Sequence, residues 1–206
     1  MKAIVDDPFA PPRLAAALAK RSRFELSRLV APKRAAVAIT LRPSDVGQQV
    51  LLMKRVERKG DRWSGQISLP GGKAEPMDAS LLHTALREMG EEVGLWLSAD
   101  RLIGPSDDQM AMAKGKVLPM AITPYVLRAQ VDDPELDLGP EAQEAFWLPL
   151  SALISGDFDG TYRWRHGPIS RELPCWRWKG QVIWGLTYVM LSKLLEIGTS
   201  PELPRS

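Results

Sequence analysis

The chain has 206 residues, of which 45% are hydrophobic and 25% charged, with a formal net charge of +2. That length suits one domain with a substantial core, and a charge so near balance gives no electrostatic reason for a nucleic-acid or membrane-surface partner. A single cysteine excludes an internal disulfide, and no apolar run is long enough for a helical membrane span. With one thiol, and with no basic-then-apolar leader at the N-terminus, the expected compartment is the cytoplasm.

Residues 1–33 read as an N-terminal helical extension. Pro11-Pro12 closes an irregular start, residues 13–20 form a short Ala/Leu helix, and residues 24–29 add a second helical turn stopped before Pro32. This segment carries no chemistry; it either packs on the domain or mediates a homodimer. The main domain is expected over residues 34–198, with 199–206 as a tail.

Residues 35–41 are a continuous apolar run, the mark of a buried strand, and residues 50–55 pair with them as a hairpin across a turn at 43–48. A basic stretch follows, with Lys54, Arg55, Arg58, Lys59 and Arg62 ahead of a Gly-Gly turn. Arg55 ends its strand and is a candidate for phosphate contact. Arg58 and Lys59 either share that role or belong to a solvated loop.

A short strand over residues 66–69 delivers Pro70-Gly71-Gly72, where two glycines permit a sharp turn. Leu82, Ala85, Leu86, Met89 and Val93 then recur as one apolar helical stripe, stopped at Gly94. Off the stripe lie Glu88, Glu91 and Glu92, crowded within one turn. Such crowding disfavours a helix. A hard divalent cation removes the repulsion, and oxygen-only ligands suit magnesium or manganese. His83 lies on the same helix away from these carboxylates and reads as a surface residue.

Beyond the helix, residues 96–104 hold a strand and 106–115 a polar, flexible loop in which Asp107 and Asp108 read as a solvated turn, the alternative being that they line the site entrance. Residues 117–130 form a long strand whose Pro119 and Pro124 imply an edge, a bulge or a break. An acidic loop over 131–140 leads through Glu141 and Glu144 into a strand ending at Leu148. A short helix at 151–155, a strand at 161–165 and a hairpin turning at Lys179-Gly180 follow. Cys175, beside Trp176, reads as a packed core thiol. Ile183, Leu186, Met190, Leu194 and Ile197 mark a last amphipathic helix closed by Gly198.

Gly72, Asp78, Arg87-Glu88-Met89, Glu91-Glu92 and Gly94-Leu95 together resemble the signature of the Nudix hydrolases. Asp78 stands where that family usually has Glu, and eight residues rather than seven separate it from Arg87. Both departures resemble the coenzyme A pyrophosphatase branch, as do Gly65, Pro70-Gly71-Gly72 and the run Val182-Ile183-Trp184-Gly185-Leu186-Thr187. Val56 and Leu69 depart from that branch.

The resemblance implies an α/β fold, a Nudix-type α/β/α sandwich with a mixed sheet. It also implies metal-dependent hydrolysis of a diphosphate linked to a moiety X. Glu88 and Glu92 would then bind Mg2+ or Mn2+, and Glu91 would bind a second ion or deprotonate water. The Gly71 carbonyl would complete the coordination. Arg87 joins the catalytic set by pinning the loop at Asp78 to the helix, with Gly72, Asp78 and Gly94 as structural positions. Glu141, favoured over Glu144, would supply a further carboxylate. The partner is a small nucleotide-type diphosphate, with X open between coenzyme A, nucleotide sugars and dinucleotides. Two rival classes are a non-catalytic nucleotide-binding domain of the same fold and an isoprenoid diphosphate isomerase. The isomerase would want an active cysteine, and Cys175 lies far along the chain.

Overall fold

The computed structural model describes residues 7–58, 63–113, 115–133 and 135–200. Its spine is β1 (Lys33–Ser44), which pairs antiparallel with β2 (Gly47–Arg55) and parallel with β7 (Lys116–Arg128). At its start β1 also pairs with β4 (Gly71–Lys73), so that Val37 faces Gly71. On β2 are added β3 (Ile67–Ser68) and β8 (Ala142–Pro149); on β7, β5 (Leu102–Pro105) and β6 (Gln109–Ala113). One parallel pair among antiparallel ones makes this eight-stranded sheet mixed.

The sheet is covered on both faces, which is why β1 reads as unbroken apolar sequence rather than as an alternation. Ile39 and Leu41 of β1 join Val50, Leu52 and Leu148 in one core. Ala36 and Ala38 face the other way, with Leu51 and Met53, against α2 (Leu81–Val93). Small alanines there let α2 lie close to the sheet, and Thr40 Oγ1 donates to Met89 Sδ at 3.1 Å.

The first core is closed by α1 (Pro11–Lys20), by α4 (Gly185–Thr199), and by a three-stranded sheet of β9 (Asp159–His166), β10 (Ile169–Trp178) and β11 (Gln181–Trp184). The short α3 (Leu150–Ile154) follows β8 directly. Helices thus flank the mixed sheet on both sides, an α/β/α sandwich. Cys175 is buried, and burial pushes its thiol pKa up.

Several elements differ from expectation. Residues 24–29 are not helical, because their backbone is spoken for elsewhere. Phe24 and Leu26 donate their N–H groups to Asp107 Oδ1 and Asp108 Oδ2, each at 3.0 Å. Asp107 and Asp108 are therefore not a solvated turn; both are buried, at 8% and 3% exposure. Asp108 also accepts from Arg23 at 2.7 Å, Arg34 at 3.1 Å and Thr123 Oγ1 at 2.7 Å, and Asp107 from Arg21 at 2.9 Å.

The supposed loop at 106–115 contains β6, and residues 96–101 are a coil and a 3-10 turn ahead of β5. Pro124 falls where the partner of β7 changes from β6 to β5, so its missing N–H breaks no ladder. Gly198 lies within α4 rather than closing it. A side chain there would stand 2.2 Å from the Phe9 ring, which packs on that glycine.

Candidate active site

The site is built on α2 and the turn before it. Ser80 caps the helix by accepting from the His83 N–H at 3.1 Å. Gly94, at φ 71°, ends it with its N–H on the Gly90 carbonyl. Ala85, Leu86, Met89 and Val93 are buried as the stripe requires. This fixes the rotation of the helix and turns Glu88 and Glu92 toward the Gly71-Gly72 turn.

Glu92 is 3% exposed and held on both oxygens. Its Oε2 accepts the Gly71 N–H at 2.8 Å and its Oε1 accepts from Arg55 at 3.1 Å. Burial, with Glu88 and Glu141 nearby, outweighs these donors and raises its pKa to about 7. Glu88 packs over Gly72, where an added Cβ would lie 2.4 Å from its carboxylate. Its pKa is also raised, chiefly by burial and against the pull of Arg87. Glu91 is the outermost of the three, its side chain 52% exposed and Oε2 3.0 Å from Arg87.

Arg87 binds five acceptors. It donates to Asp78 Oδ1 at 3.0 Å and Oδ2 at 3.1 Å, to Glu88 and Glu91 at 3.0 Å each, and to the Lys73 carbonyl at 3.4 Å. Asp78 is fixed further by Thr84 Oγ1 at 2.8 Å and the Glu75 N–H at 2.9 Å. The Arg87 hydrogen bonds are the main cause holding the Asp78 carboxyl far below the usual range, and Asp78 in turn raises Arg87. Sequence reasoning missed Thr84 and the Glu75 amide. His83 is half-exposed, its Nδ1 accepting from the Ala79 N–H at 3.3 Å and standing 3.4 Å from Asp78.

The remaining candidates divide. Glu141 reaches the cluster, its Oε2 3.0 Å from Arg55 and its Oε1 3.5 Å from Arg58. Glu144 does not, because it accepts from Gln181 of β11 at 2.9 Å. Arg55 bridges Glu92 and Glu141, and Arg58 also donates to the Pro140 carbonyl at 2.6 Å. Both arginines thus spend charge on the protein's own acids. Lys59 and Arg62 lie outside the described residues.

The loop carrying Glu141 is seated on the end of α2. Asp137 N–H bonds the Val93 carbonyl at 3.0 Å and Gly139 N–H the Glu92 carbonyl at 2.9 Å. A Cβ on Gly139 would meet the Glu91 carbonyl oxygen at 1.9 Å. The only sequence signal for that contact is the Gly139-Pro140 breaker.

No three His, Cys, Asp or Glu side chains among the described residues form a ready metal cage. The donor set nevertheless fits a hard divalent ion. Its members are carboxylates only, and two of them are disfavoured as anions by burial and mutual repulsion.

A mixed sheet clad by helices, with clustered carboxylates on one helix behind a Gly-Gly turn, defines an α/β/α protein with an acidic, oxygen-donor site. The NUDIX domain model matches residues 32–173, and the chain belongs to that family. It is 32% identical to the mitochondrial coenzyme A diphosphatase NUDT8 of Mus musculus, over 95% of this chain and 99% of that one. It is also 32% identical to the Nudix hydrolase NudL of Yersinia enterocolitica, over 78% and 77%. A MutT/nudix family protein from Enterococcus faecalis shares the fold, with a TM-score of 0.54, 15% identity and coverage of 95% of this chain and 73% of that one.

Proposed function

We propose that this hydrolase cleaves the diphosphate of coenzyme A or its derivatives, using magnesium or manganese held by Glu88 and Glu92. The observation that carries the substrate is the 32% identity to a coenzyme A diphosphatase along nearly the whole of both chains. Water adds to one phosphorus, the P–O–P bridge breaks, and two phosphomonoesters form, releasing two protons when both are dianions. The metal, when bound, would neutralise phosphate oxygens and lower the pKa of the attacking water.

The chain's own residues have distinct tasks in this reading. Glu88, Glu92 and the Gly71 carbonyl would supply the oxygen donors, with the Gly71 N–H holding Glu92 Oε2 at 2.8 Å. Glu91 has one oxygen on Arg87, while its Oε1 meets no donor among the described residues; that oxygen takes the proton from water. Arg55 stands between Glu92 and Glu141, where it lowers their mutual repulsion and faces the diphosphate. Arg87 and Asp78 are positioning residues that keep the turn in register with the helix.

The test is a substrate panel with the full chain in magnesium or manganese: coenzyme A, its dephospho form, nucleotide sugars and dinucleotides. Phosphomonoester release from coenzyme A at the highest kcat/KM is expected. Cleavage of nucleotide sugars with coenzyme A untouched would overturn the substrate and leave the hydrolase standing.

A further inference from the structure

A second charged feature lies across the Arg87–Asp78 bridge from the carboxylates. A groove of about 620 Å³ opens between the start of β1 and the loop leading to α2, lined by Arg28, Lys33, Arg34, Lys73, Glu75 and Asp78 among others. Two of these charges are already answered within the protein, Arg34 by Asp108 and Asp78 by Arg87. Arg28, Lys33 and Lys73 have no carboxylate partner among the described residues, and only Glu75 stands against them.

Lys33 and Lys73 sit on adjacent strands, since Lys73 pairs with Ala35. The pairing of β1 with β4 therefore holds their backbones together. The groove is also lined by Ser80 and Leu81, where the positive end of the thirteen-residue α2 begins. By contrast, Arg55, Arg58 and Arg87 beside the carboxylates are each committed to an acid. Among the described residues, Arg28, Lys33 and Lys73 of the groove are available to receive a further anionic group.

We propose that this groove is a second anion site, which takes a phosphomonoester. Three cations lining one concave surface match the near-dianionic charge and three acceptor oxygens of such a group. The phosphomonoester has two sources: a phosphate on the substrate itself, remote from its diphosphate, or a separate phosphorylated ligand. The first source rests on coenzyme A being the substrate, whereas the site itself does not.

The experiment is calorimetric titration of inorganic phosphate into the full chain, in buffer free of divalent metal so that the acidic cluster attracts nothing. Saturable binding is expected. Lys33→Ala/Lys73→Ala should bind at least about tenfold more weakly, the scale of losing charge-assisted hydrogen bonds, while Arg58→Ala binds as the parent does. The parent binding no phosphate at millimolar concentration would overturn the site, as would an unchanged affinity in the double variant or a loss confined to Arg58→Ala.

A second arm compares KM for coenzyme A and for its dephospho form. If the parent's preference for coenzyme A collapses in the double variant, the groove holds the substrate's own phosphate. An unchanged preference alongside weakened phosphate binding assigns the groove to a separate ligand. A parent that cleaves neither compound refutes the proposed substrate and leaves the titration to decide the groove.

Discussion

Arg87 grips both carboxylate oxygens of Asp78, Nε on Oδ1 at 3.0 Å and Nη2 on Oδ2 at 3.1 Å, while reaching back to Glu88 and Glu91. One guanidinium therefore ties the loop after Gly72 to the helix that carries the carboxylates. Arg87→Ala and Asp78→Ala should each lower kcat/KM, and the double variant should cost less than the sum, as coupled partners do. Additive losses would show that the two act independently. Asp78 is held far below its ordinary pKa, so its contribution to stability is present above about pH 4 and is lost as pH falls further. An acid-unfolding midpoint that Asp78→Asn leaves unmoved would contradict this.

Glu92 behaves oppositely. Its pKa of about 7 lies above the ordinary value of 4.5. The stability it contributes is full below pH 4.5 and is lost as pH rises through 7. Glu92→Gln should therefore be at least as stable as the parent at pH 8 without metal, measured by thermal unfolding. Its turnover should fall by about a hundredfold or more, as when a metal site is altered, and added magnesium should no longer raise its Tm. A less stable variant that still responds to magnesium would remove Glu92 from the metal site.

Two glycines should fail in different ways. In Gly72→Ala the new methyl meets the end of the flexible Glu88 side chain, so Tm should hardly move while kcat falls. In Gly139→Ala it meets the Glu91 backbone carbonyl, which cannot swing away. Tm should drop by an amount reflecting about 1–3 kcal/mol, with activity falling as the Glu141 loop lifts. Equal Tm losses in both variants would refute the distinction.

The buried acid Asp108 supports a further prediction. Asp108→Ala takes the buried carboxylate from Arg23 and Arg34 and leaves Thr123 and the Leu26 amide without their acceptor. Denaturant unfolding should show a loss of about 3–5 kcal/mol, as for other broken buried pairs. A loss below about 1 kcal/mol would place Asp108 among exposed ion pairs.

The legible parts of this molecule are those where local pattern and tertiary role coincide. The stripe on α2, its stop at Gly94 and the burial of β1 on two faces follow from side-chain period alone. The pairing of Arg87 with Asp78 was visible because both lie within one loop and helix. Long-range contacts left no such trace. Asp107-Asp108 looks like a turn until the arginines more than 80 residues earlier are brought to it. Residues 24–29 look helical because the true acceptors of the Phe24 and Leu26 amides lie far along the chain. Arg55 looked free for substrate because Glu92 and Glu141 become its neighbours only on folding. Glu144, three residues past Glu141, goes to β11 for the same reason.

The grip of Asp107 and Asp108 on Arg21, Arg23, Phe24 and Leu26 has a consequence for the order of assembly. Those contacts span 82 to 86 residues, and the family match begins only at residue 32. The leading segment's contacts with Asp107 and Asp108 form only once the region of β6 and β7 has been made, and closing so long a loop carries its own entropic cost. This segment is thus made before the strands that hold it and docks after them. A chain cut at residue 32 would lose that closure, with Phe9, Leu14 and Leu18 gone from the core, Asp107 without Arg21, and Asp108 without Arg23 though still paired with Arg34.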